Sequence, residues 1–189
     1  MKKILLIASA TMAMNAGAAV AVEMKPYAGV GVGLFELDPG QNKQATFGAF
    51  AFAGADLHEY LAAELRVGRT GQYEREELGP LTETFQVNWF ASALVKPKIE
   101  LFDGFDAYAL LGATSINSSI TPVNSIVQQS VTKTALTYGL GAQYHYNNQL
   151  SAGVEWVRYS TNADAATKNT VAYKGLDVNG FTATVSYTF

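Results

Sequence analysis

The most regular alternation of apolar and polar positions lies in 180–189, where Phe181, Ala183, Val185, Tyr187 and Phe189 fall on one side and Thr182, Thr184, Ser186 and Thr188 on the other. That is the period of two that a strand imposes. One face is apolar and the other hydroxylic. A strand of a soluble sandwich would usually carry charges on its polar face for bulk water. An apolar face ending in Tyr187 and Phe189 instead suits contact with lipid, with the aromatics at a membrane interface.

Similar stretches precede it. In 27–37, Ala28, Val30, Val32 and Leu34 oppose Gly29, Gly31 and Gly33, and glycine repeated on one strand face implies curvature over a crowded interior. No helix signal or GK[ST] follows these glycines, so a phosphate loop is not indicated. The stretch 45–55 carries Phe47, Phe50 and Phe52 with no clear facing. In 61–70, Leu61, Ala63, Leu65 and Val67 alternate with Ala62, Glu64, Arg66 and Gly68. Strands are likewise expected over 82–95, with Phe85, Val87, Trp89, Ala91, Ala93 and Val95 on one face, and over 106–115, 131–146 and 150–160.

The connections between these strands alternate in character. Loops at 38–43, 71–80, 116–129 and 161–174 would lie outside the cell, and turns at 56–60, 97–105 and 147–149 would face the periplasm with both termini. Longer outer loops, short inner turns and an even strand count are features of small outer-membrane barrels. The expected fold is all-β, an eight-stranded antiparallel up-and-down transmembrane β-barrel. Charges are nearly absent from the strand middles apart from Glu64, Arg66 and Glu155. A lipocalin-like barrel, apolar within and polar without, would need more of them outside.

Val185, Tyr187 and Phe189, spaced by twos to the last residue, resemble the C-terminal assembly signal of bacterial outer-membrane barrels. The pattern of the chain from residue 22 onward resembles the OmpA/OmpX type of membrane domain. The resemblance implies insertion by the barrel-assembly machinery, and surroundings of outer-membrane lipids and lipopolysaccharide in a Gram-negative envelope.

The front of the chain fits that destination. Lys2 and Lys3, an apolar run from Ile4, and Ala19, Val20 and Ala21 in an A-x-A pattern read as an export signal over 1–21, leaving a barrel domain over 22–189. The run is too diluted by Ser9, Thr11, Asn15 and Gly17 for a spanning helix. The whole chain has 13 basic and 16 acidic residues, and loss of Lys2 and Lys3 takes its formal charge from −3 to −5. An acidic domain argues against nucleic acid as a partner. The sequence has no cysteine, which excludes disulfides, a lipoprotein anchor and thiol chemistry.

Candidate chemistry is sparse. Glu64 and Arg66 share a strand face with Glu155 at a similar depth on another strand, and ionised groups in a narrow interior must pair or be hydrated. They are read as a lumen network that plugs the barrel, with an ion gate as the sharper alternative. The lumen is otherwise expected to be filled largely by polar side chains, since eight strands leave an interior that side chains can fill. Tyr27, Trp89, Tyr144 and Trp156 are read as interface aromatics, and Lys25, Lys96 and Lys98 as flanking charges at the periplasmic rim. Only His58 and His145 could act as imidazole bases, and the sequence places neither beside a nucleophile or with two further metal ligands. The expectation is a monomeric protein with no enzymatic activity, cofactor or metal, having a structural role or meeting a surface partner through its outer loops. A small porin-like channel is the alternative, and a lipid A modifying enzyme a third reading.

Overall fold

The computed structural model describes residues 24–38, 44–76, 82–121, 129–160 and 177–189. The stretch 1–21, read as an export signal, and the middles of the stretches read as outer loops lie outside the described residues. Nine strand segments follow one another: β1 Lys25–Asp38, β2 Gln44–His58, β3 Leu61–Thr70, β4 Gln72–Glu76, β5 Thr82–Phe102, β6 Phe105–Thr121, β7 Gln129–His145, β8 Leu150–Ser160 and β9 Asp177–Thr188. β3 and β4 both pair with β5, so they form one stave interrupted at Gly71. The result is eight antiparallel staves in chain order. The first and last staves, β1 and β9, zip together from Tyr27 opposite Thr188 to Asp38 opposite Asp177, which closes the cylinder.

The wall is inverted relative to a soluble barrel. Large apolar residues stand exposed outside: Val30 at 58%, Leu65 at 65%, Leu140 at 64% and Phe181 at 63%. Glu64, Arg66, Ser92, Thr137, Glu155 and Thr182 are buried inside. This arrangement needs hydrocarbon on the outside, because only there does an apolar exterior cost nothing and a closed backbone ladder become obligatory.

Several boundaries differ from the sequence reading. Part of the stretch 71–80, read as a loop, is strand: β4 pairs with the start of β5, Gln72 opposite Gln86. The stretch 97–105 is likewise not a long connection. β5 runs on to Phe102, and the turn is only Asp103 and Gly104, the glycine holding a φ of 74° that side chains resist. Pro97, the start of the expected 97–105 turn, opposes Leu61, the first residue of β3, and the β6 ladder passes it by from Val95–Leu111 to Lys98–Tyr108. Its missing amide falls where pairing has lapsed. The 147–149 turn is present, with Asn147 Oδ1 accepting from the amides of Gln149 and Leu150 at 2.9 and 2.7 Å.

Facing departs at two of the places read from sequence, and on β2, which had no clear facing, the structure supplies one. Val87, expected outward with Trp89, is buried, because a bulge between Val87 and Trp89 resets the alternation. Tyr27, expected in the interface belt, points into the lumen, since it shares parity with Gly29 and Gly31. On β2, Phe50 and Phe52 turn inward and Phe47 outward. Their rings occupy the space over Gly31 and Gly29, where a Cβ would collide with them.

The lumen is therefore not largely polar. Phe35 stacks on Tyr159 with ring centroids 5.9 Å apart, Tyr159 meets Phe90 at 5.0 Å, and Phe90 meets Phe50 at 6.3 Å. Glycine-rich wall segments leave room that water would otherwise fill, and aromatic rings fill it more densely than short polar side chains can.

Candidate functional site

Two-residue spacing on β3 puts Glu64 and Arg66 on the same inward face, and Glu155 projects from β8 on the far side of the cylinder. The structure brings all three together. Arg66 Nη1 and Nη2 donate to Glu155 Oε1 and Oε2 at 2.5 and 2.9 Å, a two-pronged pair, while Arg66 Nε donates to Glu64 Oε1 at 2.6 Å. Each of the three side chains is 1% exposed. Such burial is tolerable only when every lone pair and proton has a partner.

Those partners were not foreseen. Tyr27 Oη donates to Glu64 Oε2 at 3.0 Å, Tyr108 Oη to Glu155 Oε2 at 3.2 Å, and Thr182 Oγ1 to Glu155 Oε1 at 3.1 Å. Arg66 Nη1 also reaches Tyr159 Oη at 3.3 Å, and its guanidinium carbon stands 5.0 Å from the centre of the Phe50 ring.

Lys96, read as a rim charge, is inside as well. Its ammonium bonds Gln143 Oε1 at 2.9 Å, lies 4.0 Å from Glu64 Oε2 and sits 4.0 Å over the Tyr108 ring. Parity carried the signal, because Lys96 continues the inward face of Ser92 and Leu94. Two carboxylates and two cations make a cluster of zero formal charge.

Of the residues read as interface aromatics, Trp89, Tyr144 and Trp156 stand outward at 44%, 50% and 39% exposure, and Tyr27 does not. Val185 and Tyr187 line the outer face of β9 at 50% and 43% exposure, and Phe189, just past its end, is 74% exposed.

The turn-side mouth holds a second polar group. Lys98 Nζ pairs with Asp56 Oδ1 at 2.9 Å. His145 lies with Nδ1 2.8 Å from Ser151 Oγ and Nε2 2.9 Å from Asp106 Oδ2, so the structure does set an imidazole beside a hydroxyl. His145 and Ser151 are directly opposite across β7 and β8 although six residues apart in sequence, a relation set by the hairpin. Ser151 is buried and β8 is paired on both sides, so its amide is committed to the ladder and does not face a reacting oxygen. His58 is on the exposed turn against Tyr60. Among the described residues no group of three or more His, Cys, Asp or Glu is placed to hold a metal.

A closed eight-stave cylinder with an apolar exterior and an ion-paired interior defines a small membrane β-barrel. The chain belongs to the outer membrane protein beta-barrel domain family, whose model matches residues 4–189. Similar solved structures include Ail, the attachment invasion locus protein of Yersinia pestis, in complex with the heparin analogue sucrose octasulfate. It is 16% identical with a TM-score of 0.59 over 88% of this chain and 99% of that one. Neisserial surface protein A is 12% identical with a TM-score of 0.65, over 87% and 97%. The N-terminal barrel domain of Pseudomonas aeruginosa OprF is 13% identical with a TM-score of 0.53, over 85% and 97%. No curated protein matches the sequence. At these identities the likeness is one of fold.

Proposed function

We propose that the protein is a closed outer-membrane scaffold that acts through what it presents at the cell surface, not through its lumen. The observation that carries this reading is the stacked closure of the interior: an aromatic layer of Phe35, Phe50, Phe90 and Tyr159 on a formally neutral, ion-paired cluster of Glu64, Arg66, Lys96 and Glu155. A conducting path would have to break both. The reading includes export by the signal over 1–21, insertion guided by Val185, Tyr187 and Phe189, periplasmic termini and a monomeric state.

A surface role is supported by strand length. Crossing a bilayer takes about 9–11 tilted residues, whereas β5, β6 and β7 have 21, 17 and 17. The excess at the end away from the termini is a stiff wall of hydroxyls and amides. Ser115 bonds Thr134 at 2.7 Å, Asn117 bonds Thr132 at 2.9 Å, and Asn88 bonds Asn117 at 2.8 Å. Such a preformed surface suits recognition better than permeation.

Planar-bilayer recording of the refolded barrel tests this directly. The expected trace is silent or flickering, and long-lived conductance steps would replace the scaffold with a channel. The enzymatic alternative is tested by lipid A mass spectrometry of cells with and without the gene and with His145→Ala. All three profiles are expected to agree.

A further inference from the structure

The outer wall over β1, β2 and β3 has a feature that a bare lipid-facing surface does not need. On β2 the outward residues Ala49 and Ala51 form a low floor between Val30 and Val32 on β1 and Val67 on β3, a shallow, open groove with Arg69 at its outer end. Val32 opposes Ala49, and Ala49 opposes Arg69, so the floor, one wall and the cation share a row.

Arg69 is exposed, and among the described residues it has no ion pair or side-chain hydrogen bond. It lies two residues beyond Val67, close to the end of β3 away from the termini. Gly68 opposes Phe90, so Arg69 and Trp89 follow at the next position on adjacent strands, with exposed Phe47 on the other side. That is the level of an aromatic girdle. A guanidinium facing lipid is costly at the midplane and tolerable only near the interface, where it can meet headgroups.

We propose that this groove binds one phosphorylated lipid A molecule, an acyl chain lying along Ala49 and Ala51 and a phosphate on Arg69. The assignment rests on the proposed orientation, in which the end of β3 bearing Arg69 is in the outer leaflet. An unpaired guanidinium matches a phosphate in charge and in its forked donor geometry. A second copy of the chain fits worse, since a two-fold interface through this face would bury both Arg69 side chains in one apolar seam.

Native mass spectrometry of the mature barrel in mild detergent tests the site, with added lipid A, dephosphorylated lipid A or phosphatidylglycerol. The wild-type barrel is expected to retain one lipid A. Arg69→Ala should weaken retention about tenfold or more, the worth of a charge-assisted bond, and Arg69→Glu further. Arg69→Lys should recover part of it. Ala51→Trp, which fills the groove and keeps the cation, should weaken it too. Heat-modifiable migration on gels shows that each variant is folded.

Retention by Arg69→Ala equal to wild type overturns the proposal. So does equal retention of phosphatidylglycerol or dephosphorylated lipid A, or a barrel dimer in place of the lipid adduct. Failure of the orientation reading is distinguishable, because lipid A would then bind in detergent while a surface label placed on the β6–β7 wall would not react on intact cells.

Discussion

Arg66 and Glu155, 89 residues apart in the chain, meet across the lumen through two parallel hydrogen bonds of 2.5 and 2.9 Å. Breaking a buried pair by removing one partner costs about 3–5 kcal/mol, because the other charge is left uncompensated. Arg66→Met and Glu155→Leu are each expected to destabilise the barrel by that order. The double variant should lose much less than the sum. Urea unfolding in lipid vesicles, followed by the fluorescence of Trp89 and Trp156, gives the cycle, and additive losses would mean that the pair is not coupled.

Lys96 should matter less than Arg66. It stands 4.0 Å from Glu64 and holds a single neutral acceptor, Gln143 at 2.9 Å, whereas Arg66 makes three charge-assisted bonds. Lys96→Met is therefore expected to cost about 1.5–3 kcal/mol, the range for hydrogen bonds to charged groups. A loss as large as that of Arg66→Met would make Lys96 an equal member of the cluster.

Gly31 and Phe50 oppose each other on β1 and β2, and the ring fills the place of the missing side chain. Gly31→Ala forces that ring aside and should cost about 1–3 kcal/mol, as overpacking does. Adding Phe50→Leu should restore part of the loss. Urea midpoints of the single and double variants check this, and an unchanged midpoint for Gly31→Ala would mean that the ring moves freely.

The fold was legible because lipid imposes period two on every stave: the facing of Leu61 to Gly68 and of Thr182 to Tyr187 follows from alternation alone. Where alternation slips, legibility ends. The bulge at Val87 left no mark in the sequence, and Pro97 with its flanking lysines looked like a turn although the strand continues to Phe102. The charged trio was visible because Glu64, Arg66 and Glu155 are conspicuous among apolar strands. Its support was not, since Tyr27 was read into the interface belt, and nothing in the residue types of Tyr108 and Tyr159 marks them as partners of the trio. Only their parity with inward glycines tells them apart. His145 beside Ser151 and Asp106 depends on hairpin register, which residue spacing does not fix.

Position on the wall should decide tolerance to charge. Leu65 is 65% exposed on the outer face of β3, and Val185 50% exposed on that of β9. Leu65→Arg and Val185→Arg are each expected to cost about 2–4 kcal/mol for a site near the bilayer midplane and to lower the yield of folded barrel in membranes. Thr184 faces inward beside Gly153 and Gly31. Thr184→Arg carries no lipid penalty, so its loss reports lumen crowding alone. Equal effects at outward and inward sites would contradict the facing of the wall.

The orientation can be read chemically because the chain has no cysteine of its own. Thr132 is exposed on the protruding part of β7, at the end away from the termini, and Asn148 is exposed in the 146–149 turn at the other end. A membrane-impermeant maleimide added to intact cells should label Thr132→Cys and spare Asn148→Cys until the outer membrane is opened. Both sites are polar and exposed, so neither substitution disturbs the lumen cluster or the lipid face, and any difference in labelling reports sidedness. Labelling of Asn148→Cys alone would turn the barrel over. The hydroxyl wall would then face the periplasm, and Arg69 would stand among inner-leaflet phospholipids.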